Sequence, residues 1–373
     1  MKIIVDHAQV DLVLGRLMEV YSQRGYPYNR SDVTVPQDAL NLPPDFRDPL
    51  VRDNRAYSVF LWCLCYYMRG GIKSNIAASS LGKVYAAHPD WFDTAKAKLL
   101  EPSYIETELK KFGLGFKAAE IGRIWVENSL RLDTRYHGDP REIFAGVSSY
   151  DEACLRIRNA GHGRGFMGFQ FKMVSMIIYF LMDEKLIDFF YFPVPVDFHV
   201  LRVITTNQLV RFEDIPSNGN VFCDDLLQTA RGLLESYARR EHVNPLRLCD
   251  ALWLLSGNLC NDYPGNTASV DRKRQGRRTL TTIWEPLWND NDLRAYARSC
   301  GSCPIEQTCN GRVLSAEYYV GGTLKPRFPR IKPPVMFAMT AGMHARPQGA
   351  RAITPRELVS EVNPTPHPAL WDN

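Results

Sequence analysis

Gly168-Phe-Gln-Phe-Lys172-Met-Val-Ser-Met-Ile-Ile-Tyr-Phe-Leu-Met-Asp183 is followed nine residues later by Pro193-Val-Pro-Val-Asp197-Phe-His199-Val-Leu-Arg202-Val203. Lys172 to Asp183 is almost wholly apolar and reads as a buried helix. The glycines from Gly161 to Gly168 break whatever precedes it. Pro193 and Pro195 force an extended approach to Asp197, because the residue before a proline is driven out of the helical region. A lysine thus opens a helix, and an aspartate follows the same helix. Taken alone, such a lysine is usually a solvated surface residue and such an aspartate usually a helix N-cap.

Working outward, the chain reads as helix nearly throughout. Residues 1–25 read as an amphipathic helix, and residues 26–52 as a Pro- and Asn-rich connection. Helices are expected over Tyr57–Tyr67 and Asn75–Ala87, split by Arg69-Gly70-Gly71, and over Ile105–Lys111. Phe112-Gly-Leu-Gly-Phe116 is a tight turn, and Lys117–Leu130 follows with apolar residues at helical spacing. Ser149–Asn159, Asp224–Arg240 and Pro245–Gly257 complete the set. Alternating β-branched runs are few, so the fold class is all-α. From Gly321 onward Pro, Gly and Arg dominate, and an extended or partly disordered tail is expected.

Composition sets bounds. The 373 residues are 45% hydrophobic and 23% charged, with a net charge of +4. That is ordinary globular composition, and a mildly basic balance favours polyanion partners without establishing one. The first residues lack the pattern of a signal peptide, and no apolar run is long enough to span a bilayer. A cytoplasmic chain with no membrane partner is therefore expected, nucleoid-associated if the source is bacterial.

Nine cysteines are present, an odd number. Reduced thiols gathered in a cytoplasmic chain point to metal rather than to disulfides. Cys300-Gly-Ser-Cys303-Pro-Ile-Glu-Gln-Thr-Cys309 places three thiols within ten residues. Thiolates suit an iron–sulfur cluster or zinc. Cys260, at the end of an apolar helix, is the preferred fourth ligand, and Cys249 a poorer one. A zinc ribbon usually carries two C-x2-C pairs, and only one is present. Zinc, or three structural cysteines without metal, stays open as the alternative.

These elements together resemble the helix-hairpin-helix (HhH-GPD) DNA glycosylases of the endonuclease III type. That family carries a hairpin of the form L-P-G-x-G-x-K-x-A, then V-D-x-H-x-x-R-V, then a four-cysteine cluster. Val196-Asp197-Phe198-His199-Val200-Leu201-Arg202-Val203 matches the middle element, and Cys300, Cys303 and Cys309 match the last three cluster cysteines. Leu109 to Ile121 looks like the family's I-G-x-x-x-x-K-A-x-x-I segment, and Ser58 to Tyr85 like its first core helices. The resemblance covers residues 55–310. It implies two helical subdomains with a C-terminal cluster loop, residues 1–54 being an N-terminal helical extension and 311–373 a Pro/Arg-rich tail.

Three departures from the family stand out. Gln170 replaces the hairpin's second glycine, a residue whose freedom lets the backbone approach a phosphate. An alternative hairpin, Gly161-His-Gly163-Arg-Gly165, would put Gly165 where the lysine belongs. The segment from Lys172 to Asp197 is also longer than in the type member. The first cluster cysteine is displaced as well: the family spacing falls on Leu293, and Cys260 takes the role across an insertion at 261–299. That insertion carries Arg272-Lys273-Arg274-Gln-Gly-Arg277-Arg278, a solvated loop or, in this setting, a phosphate clamp.

The resemblance implies an activity: base excision from duplex DNA by a monomer, in DNA repair or in defence against foreign DNA. A base must be flipped out of the stack before it is cut. Met68 or Arg69 is the expected wedge, and Gly168, Gln170 and His199 are expected at the DNA. Asp197 would stabilise positive charge on the sugar. Lys172 would attack the sugar carbon and add abasic-site lyase activity, provided its amine is partly neutral. The aromatic residues Tyr66, Tyr67, Phe166, Phe169 and Phe171 would stack on the extruded base or would pack a core. The cofactor implied is a [4Fe-4S] cluster on Cys260, Cys300, Cys303 and Cys309, structural and electrostatic in role. A lesion-sensing protein without chemistry is the main rival. The aspartate argues against it, since a pure binder has no evident need of one there.

Overall fold

In the computed structural model the described residues are 2–31, 33–35, 46, 54–68, 72, 74–158, 165–213, 221–259, 302–308 and 330–331. In chain order they form β1 (Lys2–Val5), α1 (His7–Ser22), α2 (Asn54–Tyr67), α3 (Ser74–Ala87), α4 (Thr94–Ala97), α5 (Pro102–Lys111), α6 (Ala118–Tyr136), α7 (Tyr150–Arg158), α8 (Phe171–Asp183), α9 (Phe198–Thr206), β2 (Val210–Glu213), β3 (Val221–Phe222), α10 (Cys223–Arg240), α11 (Pro245–Leu254) and β4 (Arg330–Ile331). Short 3-10 turns cover Pro89–Phe92, Pro140–Phe144 and Glu306–Thr308, and a π segment covers Leu255–Leu259. The class is mostly helical, as expected, with small strands added. Among the described residues no helix is long and apolar enough to cross a membrane.

The chain divides into two compact units, Thr34–Pro195 and a second made of Met1–Val33 with Val196–Asn373. The first is built around α2. Tyr57, Phe60, Leu61, Trp62 and Leu64 are all buried, so this helix is apolar on every side and belongs inside its unit. The long helix α6 packs along α5, and its Trp125 donates its indole N–H to the Trp91 carbonyl at 3.0 Å. The turn between them closes with Leu114 N–H on Leu109 O at 2.9 Å, a helix C-terminal wrap that uses Gly113 at φ 76°. The helix α8 is buried from Met173 to Met182 apart from Met176, as its apolar sequence requires.

The second unit corrects the reading of the N-terminus. Residues 1–25 are not one helix. Lys2–Val5 is a strand, antiparallel to β2, with Ile3 opposite Phe212 and Val5 opposite Val210. The run Ile3-Ile4-Val5 is β-branched and stiff at χ1, which suits a pleated strand once a partner is supplied. The helix starts where Asp6 caps it, its carboxylate accepting from the Gln9 N–H at 3.1 Å. Val10, Val13, Leu14, Leu17 and Val20 then form the buried stripe of α1. Tyr21 and Tyr28 fasten this region to α11, through Asp250 at 3.1 Å and the Ala251 carbonyl at 2.9 Å. In the same unit β3 pairs with β4, two residues of the expected extended tail.

Candidate functional site

Within the first unit, α7 and α8 are joined by a turn whose described part begins at Gly165. Gly168 adopts φ 82°, the left-handed region that glycine enters without strain. Gln170 lies at φ −86°, ψ 172°, extended backbone open to any residue, and serves as the N-cap of α8. The replacement of the second hairpin glycine therefore imposes no strain at that position. Gly165 is glycine for a different reason: a Cβ there would overlap the Arg158 carbonyl. A side chain is sterically excluded at that point, where the alternative hairpin would have needed a lysine.

Four groups hold this turn. The Phe166 N–H donates to the Ile157 carbonyl at 2.8 Å. Arg131, on α6, donates to the Gly165 carbonyl. Asn128, one turn before it and fully buried, donates to the Met167 carbonyl at 2.9 Å and accepts from the Met167 N–H at 2.8 Å. Tyr150, opening α7, donates to the Phe171 carbonyl at 2.8 Å. The amides of Gly168, Phe169 and Gln170 are left with no hydrogen-bond partner among the described residues. They border a recess of about 400 Å³ that Arg131 and Arg158 also line. The Arg158 guanidinium lies over the Phe171 ring, 3.6 Å from its centre. Unpaired N–H groups at a helix start beside guanidinium groups make a surface that receives anions.

Lys172 sits on the first turn of α8, half-buried, and donates to the Met68 carbonyl at 3.4 Å. Cys65, on α2, is close enough for the Lys172 charge to act on its thiol, although burial dominates and pushes that thiol up. Met68 is only 6% exposed, so its side chain packs inside the unit rather than standing out as a wedge. Tyr66, Tyr67, Phe166 and Phe169 are likewise buried. Trp62 lies 4.2 Å from Phe169 and 4.8 Å from Phe166, ring centre to ring centre, and Tyr66 lies 6.0 Å from Phe169. Of the two roles open to these aromatics, the structure gives them core packing.

Asp197 and His199 belong to the other unit. One carboxylate oxygen of Asp197 accepts from the His199 N–H at 2.9 Å and from the Val200 N–H at 3.3 Å. Asp197 is thus the N-cap of α9. That gives it a structural use without any chemistry, and it removes the argument that a pure binder has no need of it. His199, expected at the DNA, is instead buried at 7% exposure. Its Nδ1 lies 3.3 Å from the Ser256 hydroxyl, and its ring packs edge-to-face with Trp253, 5.7 Å between centres. Ser256 falls in the π segment, four residues before Cys260.

Cys303 is described and half-buried, just ahead of the 3-10 turn over Glu306–Thr308. Thr308, next to Cys309, donates to Asn207 at 2.8 Å. Cys260, Cys300 and Cys309 lie outside the described residues, as do Arg69, Arg272, Lys273, Arg274, Arg277 and Arg278. Among the described residues no three metal-ligating side chains converge. The donor chemistry itself, four thiols, fits an iron–sulfur cluster and fits zinc as well.

Sequence reasoning missed Asn128, Arg131, Tyr150 and Arg158. The signal for Asn128 was present: it falls on the stripe of Ile121, Trp125 and Leu132, a polar residue on a buried face. No protein-family model matches this chain, and no curated protein matches it in sequence.

Proposed function

We propose that this chain is a DNA glycosylase that excises a damaged or modified base from duplex DNA, with an abasic-site lyase step through Lys172. The observation that carries the proposal is the turn at 168–170. Three amides just ahead of α8, with no hydrogen-bond partner among the described residues, lie beside two arginines, and a lysine stands on that helix's first turn. Such a surface would grip the phosphodiester backbone and bring Lys172 to the sugar of a flipped nucleotide. Asp197 would supply negative charge as the glycosidic bond breaks and its electron pair leaves with the base. The Lys172 amine would then bond to the sugar carbon and lose one proton; the ring oxygen would leave that carbon, taking up a proton, to give an iminium, and loss of a C2′ proton would expel the 3′ phosphate. Cys260, Cys300, Cys303 and Cys309 would hold a [4Fe-4S] cluster, structural and electrostatic in role rather than part of a reaction step.

Asn caps a helix as well as Asp does. Asp197→Asn should therefore keep α9 intact, with stability changed by less than about 0.5 kcal/mol, while removing the charge. DNA pools carrying oxidised, alkylated, deaminated and hypermodified bases are incubated with the protein, and released bases are identified by mass spectrometry. Release of one base class, lost in Asp197→Asn, is the expected outcome. Strand cleavage should vanish in Lys172→Gln while base release persists. The N-cap role of Asp197 favours a second reading, a binding protein without chemistry. That reading is the right one if DNA binds tightly, no base is released from any pool, and Asp197→Asn changes nothing.

A further inference from the structure

Asn128 is a polar side chain with no exposed surface on the buried face of α6. Both N–H donors of its carboxamide and one lone pair of its oxygen are used. The nitrogen donates to the Met167 carbonyl at 2.9 Å and to the Tyr66 hydroxyl at 3.1 Å, and the oxygen accepts from the Met167 N–H at 2.8 Å. Both polar groups of residue 167 are therefore matched by one side chain, as a neighbouring strand would match them. One turn along α6, Arg131 holds the Gly165 carbonyl. Two points two residues apart on the turn are fixed to one helix, directly ahead of the Gly168, Phe169 and Gln170 amides, which have no hydrogen-bond partner among the described residues. A loop left to itself samples many conformations, and ordering it on binding costs affinity.

We infer that Asn128, assisted by Arg131, is a positioning residue that presets the 165–170 turn to receive a phosphodiester of duplex DNA. The inference rests on the proposed DNA reading. Asn128 itself touches no ligand; it acts through Met167. Only a group that donates and accepts side by side can do this. A carboxylate accepts but cannot donate, whereas a protonated carboxyl group does both, in nearly the same shape as an amide. Burial pushes such a carboxyl group's pKa up, so Asn128→Asp becomes a pH-dependent replacement for the native residue.

The test uses the full chain. Hydrogen exchange of residues 165–170 is followed by mass spectrometry without DNA, and duplex affinity is measured against salt concentration. In Asn128→Ala the turn should exchange about tenfold faster and duplex binding should weaken about tenfold. The slope of log affinity against log salt should stay that of the wild type, because the groups that meet phosphate are unchanged. Asn128→Asp should behave like Asn128→Ala at about pH 8 and approach the wild type, compared at the same pH, at about pH 5. Asn128→Ser takes the place of Asn128→Ala if that chain does not fold. Unchanged exchange, unchanged affinity, a shallower slope, or an Asp variant that tracks the Ala variant at both pH values would each overturn the inference. If the wild type binds no duplex at all, the DNA reading fails, and exchange alone then decides whether Asn128 holds the turn.

Discussion

Cys63, Cys65 and Tyr66 stand on α2 with at most 3% of their surface exposed. Burial is the first cause that pushes all three upward from ordinary values of 9.0 for the thiols and 10.0 for the phenol. In the folded chain they stay neutral where the unfolded chain would ionise. Their contribution to stability is whole below about pH 9 and is lost progressively as pH rises further, since the unfolded state alone gains by deprotonating. The melting temperature is therefore expected to fall between about pH 9 and pH 11, and less steeply in a Cys63→Ala/Cys65→Ala chain. A thiol reagent at neutral pH should leave both cysteines unlabelled until the protein unfolds. Early labelling, at the rate of an exposed thiol, would contradict the burial described. Neither cysteine belongs to the proposed cluster set, and their environment explains why: a thiol kept protonated in a helical core is a packing group.

At the scale of elements, α1 depends on its cap and its stripe. Asp6→Ala removes the acceptor for the Gln9 N–H and should cost about 1 kcal/mol. Leu17→Ala empties a site with no exposed surface and should cost about 2–5 kcal/mol. Urea unfolding of both variants checks the order, and an Asp6 cost equal to the Leu17 cost would show that more than the cap was removed. The periodic helices were legible because their signal is local. The ranges expected over Lys172–Asp183 and Asp224–Arg240 differ from the observed Phe171–Asp183 and Cys223–Arg240 only at one end. The strand Lys2–Val5 was not legible, because its partner Val210–Glu213 lies some two hundred residues away and four residues carry no period. The role of Asn128 was hidden for a related reason. Its misfit on an apolar face is visible in the sequence, but the peptide it binds is not.

At the scale of the molecule, the net charge of +4 is less informative than its distribution. Five basic residues fall between Arg272 and Arg278. If they meet phosphates, replacing all five with glutamine should lower the slope of log duplex affinity against log salt by roughly 0.9 for each phosphate no longer neutralised. Affinity should fall alike for every sequence tested, because binding to phosphate carries no base information. A slope unchanged by the replacement would return the run to a solvated loop.

The amino-acid sequence by itself determined the helical class, the break at the glycines, the helix that Lys172 opens, the extended approach to Asp197 and the set of thiols, each of them a matter of neighbouring residues and their periods. Tertiary structure alone decided which chain segments share a unit, joining Met1–Val33 to the residues from Val196 onward. It also decided that Tyr66, Phe166 and Phe169 pack a core, that His199 turns inward, and that Asp197 spends one oxygen on the start of α9. These outcomes turn on contacts between residues far apart in the chain. Burial and hydrogen-bond partnership are properties of such contacts, and a local pattern names the residue without naming what it meets.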